Sequence, residues 1–314
     1  MRRARFATTS SPKSNAFGPD AATYSYLAAC VLIWSSNWPL VKIALRDCPP
    51  FTFLSLRTVG AVIVLGFVAL VSRQKVVLPV PGERRDLAIA GLLSLFAALA
   101  CSTAGLKLTH VGRAMLLMYT MQLWAVPLGV WLIGERASAM RFAGSAIGLA
   151  GVIVFFNPGS VDWHDARAVT GGALLLLSAI CWAWGACLYR RRVWVSGHLQ
   201  QLFWQLIVCV PPSLALAMLD AEQFRSTSTV WGVLAYNWTA ATVVGYWAWN
   251  RALTRVPATV AGQVVLLTPL LGFAWSAWFL GERWSASTYF AALLIIGGMI
   301  VTLRDAHASM LDVR

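Results

Sequence analysis

The chain has 314 residues, of which 59% are hydrophobic and only 12% are charged, and its mean hydropathy is +0.68. Soluble globular proteins carry about 25% charged residues, so this composition excludes an ordinary soluble domain and predicts a membrane protein. The net charge of +13 would suggest a nucleic-acid partner in a soluble protein, so the positions of the cations must decide its meaning.

Residues 1–23 are polar and basic and contain no periodic apolar pattern, which predicts a disordered cytoplasmic tail. The rest of the chain contains apolar runs of roughly 17 to 23 residues, close to the ~20 that a helix needs to cross a ~30 Å hydrocarbon core. A cleaved signal peptide is disfavoured for the first run, which is too long and has no A-x-A site after it. We predict ten transmembrane helices, at residues 24–44, 50–71, 87–106, 114–132, 140–156, 171–189, 199–218, 230–252, 258–279 and 288–303.

The distribution of cations tests this topology. With the N-terminus inside, 17 of the 25 Lys and Arg residues lie on the cytoplasmic side and seven on the outer side, while Arg57 lies within the second helix. The acidic residues divide equally between the two sides. This asymmetry follows the positive-inside rule and places both termini in the cytoplasm. We therefore interpret the excess positive charge as a topology signal and expect a lipid bilayer, not nucleic acid, as the partner.

The second half of the chain repeats the first. Residues 106–136 align with residues 253–283 at a constant offset of 147. An offset of 148 aligns other pairs, including Trp34 with Trp182 and Arg57 with Gln205. Because each copy has five helices, an odd number, the second copy must enter the membrane from the opposite side. The sequence thus predicts two inverted five-helix repeats, an arrangement that places the substrate site of many secondary transporters near the bilayer midplane.

Several short motifs occur in a fixed order, and some of them occur twice. They are W-S-S-N-W-P-L-V-K at 34–42, P-P-F-T-F-L-S-L-R at 49–57, L-I-G-E-R at 132–136, Y-W-A-W-N-R-A-L-T-R-V-P-A at 246–258, T-P-L-L at 268–271 and L-G-E-R at 280–283. In order and spacing the chain resembles the drug/metabolite transporter superfamily, specifically its EamA-type ten-helix exporters. The likeness covers about residues 24–303.

This resemblance implies a carrier, usually outward, for small polar or amphipathic solutes such as amino acids, nucleobase-like compounds or drugs. It also implies a domain organisation in four parts. These are a disordered basic cytoplasmic tail, a first and a second five-helix EamA repeat, and a C-terminal cytoplasmic tail, at residues 1–23, 24–157, 170–303 and 304–314.

Polar side chains inside apolar helices are costly and are therefore candidate functional residues. Pro39 removes a backbone donor beside Asn37, which predicts a broken first helix with a polar wall. Arg57 lies about 10 Å inside the second helix, where a guanidinium suits a substrate carboxylate; pairing with helix-end carbonyls or with Asp47 is the alternative. Other polar residues could instead join helices by hydrogen bonds. We predict substrate binding by Asn37, Arg57, Tyr119, Gln122, Trp182, Trp204, Gln205, Tyr246, Asn250 and Gln263.

Groups that could couple transport to an ion are scarce. No Asp or Glu falls inside a predicted span, so coupling through an intramembrane carboxylate is unsupported. Lys42 and His110 are the weak candidates, and for Lys42 the alternative is that it reaches the outer interface. The six cysteines show no zinc or disulfide spacing, and the sequence contains no phosphate loop. We therefore expect no cofactor and no metal.

These patterns favour a multi-pass protein of the cell (inner) membrane that is a secondary transporter, not an enzyme. We expect it to export small organic metabolites, such as amino acids or related amphipathic solutes, by alternating access around a midplane cavity. An integral-membrane lipid-modifying enzyme is the alternative, but it would need clustered His, Asp or Glu near one interface. A channel would favour a ring of like charges. The sequence does not determine the substrate, the direction of transport or the coupling ion. It is compatible with a homodimer but does not determine the oligomeric state.

Overall fold

The structure is a computed structural model that describes residues 21–73, 76–109, 111–134, 138–156, 165–256, 258–280 and 286–311. Within these ranges all regular elements are helical, which confirms the all-α prediction. The first half contains α1 (Ala21–Ala44), α2 (Pro50–Val71), α3 (Pro81–Gly91), π1 (Leu92–Ala97), α4 (Ala98–Leu108), α5 (Val111–Tyr119), α6 (Met121–Ile133) and α7 (Ala139–Phe156). The second half contains α8 (Ala166–Arg191), α9 (His198–Ala217), α10 (Ser228–Tyr236), π2 (Asn237–Val244), α11 (Gly245–Leu253), α12 (Ala258–Val265), α13 (Leu267–Leu280) and α14 (Ala286–Leu311).

Several of these helices are apolar enough to lie in a membrane. Five helical segments of the described chain reach both the length and the hydropathy that a membrane span requires: Ala21–Ala44, Pro50–Val71, Pro81–Leu108, Ala166–Arg191 and His198–Ala217. Four shorter apolar helices lie at Leu117–Ile133, Ala139–Val154, Val260–Gly272 and Tyr289–Thr302. The apolar residues of the sequence are thus concentrated in long helical runs.

Local sequence explains where several helices begin and end. Pro50 and Pro81 occupy the first turns of α2 and α3, where a missing backbone donor costs nothing. The carboxylate of Asp165 accepts a hydrogen bond of 2.9 Å from the backbone N–H of Arg167 and caps α8. Gly134 ends α6 with φ of 68°, a conformation that favours glycine.

The irregularities of the helices occur at equivalent places in the two halves. The predicted break at Pro39 is wrong, because α1 runs without interruption and a proline removes only one backbone donor. Instead, π1 interrupts the third predicted span and π2 interrupts the eighth. The fourth span divides at Thr120 and the ninth at Leu266. Both pairs of irregularities are separated by about the 147-residue offset of the sequence repeat.

Helices of one half pack mainly on helices of the other. Helix α1 lies against α11 and α13, and its counterpart α8 lies against α4 and α6. Helix α2 packs along α9, and α7 packs along α14. The buried core therefore sits between the two halves, around Trp34 of α1 and Trp182 of α8.

Two carboxylates join the halves at opposite ends of the α2–α9 pair. Asp220, after α9, accepts hydrogen bonds from the backbone N–H and the hydroxyl of Thr52 in the first turn of α2, at 2.6 and 2.8 Å. Glu83 of α3, only 1% exposed, accepts from the backbone N–H of Val195 at 2.5 Å and the hydroxyl of Ser196 at 2.7 Å, just before α9. We call these contacts the two carboxylate clasps. Each carboxylate accepts a hydrogen bond from a backbone N–H near the start of a helix in the opposite half of the chain.

Glycines allow α7 and α14 to approach closely. A Cβ atom at Gly298 would lie 2.5 Å from the carbonyl oxygen of Gly144 and 2.5 Å from the backbone nitrogen of Gly148. Small residues at such interfaces let two helix backbones touch, which is a main source of packing energy in membranes. By contrast, a Cβ atom at the neighbouring Gly297 would meet nothing within 4 Å.

We expect Gly298→Val to destabilise the protein by about 1–3 kcal/mol, because the added side chain forces α7 and α14 apart. The matched control Gly297→Val adds the same β-branched side chain to the same helix but into open space. Thermal unfolding of the two purified variants in detergent tests this expectation. Equal melting temperatures for the two variants would contradict the proposed close contact.

Candidate functional site

An aromatic cluster occupies the centre of the molecule. The ring centroids of Trp34 and Trp182, which are equivalent positions in the sequence repeat, lie 5.3 Å apart. Trp249 lies 5.2 Å from Trp182, and Tyr246 lies 5.4 Å from Trp34. The indole N–H of Trp34 donates to the carbonyl oxygen of Ala241 in π2, at 3.1 Å. Tilted and edge-to-face contacts of this kind contribute about 0.5–1.5 kcal/mol each beyond burial and so stabilise the cluster.

A cavity of about 90 Å³ lies beside this cluster. It is bounded by helices of both halves, and hydroxyl, amide and indole groups interrupt its apolar wall. Its described lining contains one charged residue, Arg57, and neither Asp nor Glu. The full lining is Trp34, Asn37, Trp38, Val41, Arg57, Ser94, Ala98, Leu99, Ser102, Thr103, Leu106, Met118, Tyr119, Met121, Trp182, Tyr246 and Val265.

Arg57 brings a positive charge into this cavity. Its side chain is only 6% exposed, and its Nε–H donates to the hydroxyl oxygen of Thr242 at 2.9 Å. The structure thus gives Thr242, and neither Asp47 nor a helix-end carbonyl, as its hydrogen-bond partner within the described chain. The two terminal guanidinium nitrogens can still donate to a planar acceptor such as a carboxylate.

Two other polar groups of the cavity have no partner among the described residues. They are the indole N–H of Trp182, a donor, and the amide oxygen of Asn37, an acceptor. A buried polar atom without a hydrogen bond costs about 1–3 kcal/mol, so a water molecule or a ligand that bonds to these two groups would be stabilised in the cavity. The cavity also includes Tyr119 and Tyr246, which are 2% and 6% exposed. Five of the ten predicted binding residues therefore meet in one cavity.

Three predicted residues lie outside the cavity lining and bind other side chains. The amide oxygen of Gln205 accepts from the side-chain N–H of Asn250 at 3.2 Å. The amide N–H of Gln263 donates to the hydroxyl of Ser145 at 3.0 Å. These residues are at most 5% exposed, and their contacts join separate helices.

Two further predicted residues bond to backbone. Trp204 donates from its indole N–H to the carbonyl oxygen of Val77 at 2.9 Å, away from the cavity. The Lys42 ammonium donates to the carbonyl oxygens of Leu106 and Thr109, both at 2.7 Å. These carbonyls lie at the C-terminal end of α4, where a cation satisfies unpaired acceptors and the helix dipole. This geometry gives Lys42 a structural task.

Two predicted positions lie outside the described residues, and the cavity contains hydroxyl groups that the sequence did not predict. The Gln122 side chain and all of His110 lie outside the described residues. Conversely, the cavity is lined by Ser94, Ser102 and Thr103, which the sequence analysis did not select. The spacing of eight residues between Ser94 and Ser102 places both on one helix face, and this was the available signal. Hydroxyls inside helices usually bond to their own backbone, so the pattern does not stand out.

The comparisons with known proteins agree with this architecture. The sequence profile of the EamA-like transporter family matches residues 22–157 and, a second time, residues 169–304. The chain belongs to this family. It is therefore a multi-pass membrane protein and a transporter, not an enzyme.

Individual relatives span nearly the whole transporter. An Escherichia coli (strain K12) protein named "Probable amino-acid metabolite efflux pump" is 27% identical over 87% of this chain and 92% of its own length. The "Uncharacterized inner membrane transporter YedA" of the same strain is 22% identical, covering 89% and 90% of the two chains. A solved crystal structure superposes with a TM-score of 0.75 at 21% identity, over 91% of this chain and 99% of the other, which shows a shared fold.

The two equivalent tryptophans provide a matched test of the site. We expect Trp34→Phe to lower the free energy of unfolding by about 1 kcal/mol, because it removes the hydrogen bond to Ala241 and keeps an aromatic ring. Trp182→Phe removes an N–H that has no partner within the described chain, so we expect no such loss. Thermal unfolding in detergent measures both. A larger loss for Trp182→Phe than for Trp34→Phe would contradict the assignment.

Proposed function

We propose that this transporter is a secondary exporter of small organic metabolites that carry a carboxylate, such as amino acids or related amphipathic solutes. The observation that carries the proposal is Arg57, a buried cation in a cavity whose described lining has no acidic residue. A charge within a membrane helix is retained when it has a partner or a task, and a solute carboxylate provides both. The name of the Escherichia coli relative supports amino-acid metabolites as the class.

The other polar groups of the cavity suit the remainder of an amino acid. In this proposal the guanidinium of Arg57 binds the carboxylate through two parallel hydrogen bonds, and the indole N–H of Trp182 donates to it as well. The amide oxygen of Asn37 accepts a hydrogen bond from the ammonium group. The ring faces of Trp34 and Tyr246 contact the apolar side chain and attract the nearby positive charge.

We further propose that ten transmembrane helices form two inverted five-helix repeats, which occupy residues 24–157 and 170–303. Three observations support this arrangement. The family profile matches twice, the π segments and helix breaks recur at the repeat offset, and the contacts of α1 with α11 and α13 are mirrored by those of α8 with α4 and α6. An odd number of helices in each copy makes the copies inverted.

Alternating access is the mechanism that this cavity favours. A volume of about 90 Å³ is small beside the ~300–1,000 Å³ of typical ligand pockets, so solute entry requires helices to move. The cavity reaches Val41 and Leu106, near the ends of α1 and α4 that the topology predicts to face outward. In the opposite direction, Trp182 and Trp249 lie between it and a smaller apolar space of about 20 Å³. We therefore propose that Trp182 and Trp249 close the central cavity toward a second cavity of about 590 Å³ at the predicted cytoplasmic ends of the helices, which Ile133, Arg190 and Thr254 line.

Counterflow into proteoliposomes, with each of the twenty amino acids in turn, tests the function. We expect at least one of them to exchange. For that solute, Arg57→Gln should raise the half-saturating concentration about 10- to 100-fold, since a charged hydrogen bond contributes roughly 1.5–3 kcal/mol. Arg57→Lys should recover only part of the affinity, because an ammonium cannot bind a carboxylate with two parallel bonds.

The matched control is Arg46→Gln, which removes the same charge from an exposed position after α1. We expect this variant to transport with the half-saturating concentration of the unmodified protein. Unchanged affinity in Arg57→Gln, or an equal loss in Arg46→Gln, would overturn the proposed role of Arg57. Absence of exchange for every amino acid in the unmodified protein would overturn the proposed solute class.

A further inference from the structure

The π-helical segment π2 lies directly beside Arg57. Two π segments occur within the described chain, π1 and π2, and the repeat offset of 147 superimposes them. Such widened turns are rare and often occur at functional sites. Here the indole N–H of Trp238 in π2 donates to the carbonyl oxygen of Leu56 at 2.8 Å. The side chain of Trp238 also fills the space that a Cβ at Gly60 would need, so α2 is held against π2 on both sides of Arg57.

Thr242 of π2 then fixes the side chain. Its hydroxyl oxygen accepts from the Nε–H of Arg57 at 2.9 Å, and the two residues are 1% and 6% exposed. A guanidinium is planar and carries five N–H groups, so a bond at Nε sets the direction of the plane. The terminal nitrogens, which donate to a carboxylate as a pair, are then the groups left for the cavity.

The chemistry of this partner matters as much as its position. A carboxylate in place of Thr242 would orient Arg57 equally well but would neutralise it and compete with a solute anion. A threonine hydroxyl is uncharged, so it orients the guanidinium and leaves the full positive charge to the solute. Within the described residues no carboxylate pairs with Arg57, in agreement with this division of tasks.

The repeat supplies an internal comparison. The position equivalent to Arg57 is Gln205, at an offset of 148, and the position equivalent to Thr242 is Leu95, at an offset of 147. Gln205 bonds to Asn250 and does not line the cavity, while Leu95 is a buried apolar residue. The cation and its hydroxyl partner therefore occur together in one copy of the site and are both absent from the other.

We infer that Thr242 is a positioning residue that makes the cavity selective for carboxylates by aiming Arg57 without neutralising it. This inference rests on the proposed function, since it assigns the orientation of the group that binds the solute. In this inference Thr242, from the second half of the chain, helps Arg57, from the first half, to recognise the carboxylate of the solute. Selectivity for a carboxylate over its neutral carboxamide is the property that it controls.

The test uses full-length protein in proteoliposomes. The probes are the amino acids that exchange in the counterflow screen and the carboxamide of each. We expect Thr242→Val, which keeps the shape and removes the hydroxyl, to raise the half-saturating concentration of the amino acid about five- to tenfold. The carboxamide should be unaffected, because it makes no ion pair with Arg57. Thr242→Ser should restore the affinity for the amino acid.

Thr239→Val is the matched control, because Thr239 lies in the same π segment but is exposed, and its hydroxyl donates to the carbonyl oxygen of Ala235 in its own helix, at 2.8 Å. If Thr242→Val does not fold, Thr242→Ala removes the same hydroxyl without filling the site. The inference is overturned if removal of the hydroxyl leaves the amino acid unaffected or weakens amino acid and carboxamide equally. If Arg57→Gln weakens transport and Thr242→Val does not, the inference about Thr242 is wrong and the proposed function stands. If the unmodified protein exchanges no amino acid, the proposed function itself is wrong.

Discussion

A guanidinium in a membrane helix, with no neighbouring carboxylate among the described residues, is the constraint around which the centre of this transporter is organised. Within the described chain the acidic side chains lie near helix ends and in loops, so they form clasps and surface ion pairs but leave Arg57 uncompensated. Its cost is lowered by the hydroxyl groups of the surrounding cavity, one of which accepts a hydrogen bond from its Nε–H, and in the proposed function a solute anion lowers it further. Aromatic rings close the other side and keep the local dielectric low, which strengthens any ion pair formed there.

Hydropathy predicted the helical class and the apolar runs, because hydrocarbon forces backbone groups to bond within a helix. It did not predict π1 and π2, since no residue type specifies a widened turn, and Pro39 suggested a break where none exists. Half of the predicted site residues meet in the cavity, whereas Gln205 and Asn250 bond to each other. Helices that are apolar on nearly all faces have no periodicity that fixes their rotation, so sequence cannot say which polar groups face a solute.

The duplication explains the scaffold, and departures from it explain the site. Equivalent residues Trp34 and Trp182 meet at the centre, yet only the indole N–H of Trp34 has a hydrogen-bond partner within the described chain. Arg57 and Gln205 also differ, since Arg57 lines the cavity and Gln205 does not. A scaffold with two equal halves can face either side of a membrane at similar energy. The cavity, by contrast, is asymmetric, because these few pairs of equivalent residues differ in their hydrogen bonds and in their exposure to it.

The two carboxylate clasps have a consequence for how the protein is made. The carboxylate of Glu83 accepts its hydrogen bonds from Val195 and Ser196, which lie more than a hundred residues later in the chain. Until the ribosome has delivered that segment, a carboxylate that ends up 1% exposed must stay in water or bind elsewhere. Helix α1 likewise packs against α11, which is synthesised about 200 residues later. Because helices of one sequence copy pack mainly on helices of the other, the buried contacts of either copy form only after both have been synthesised.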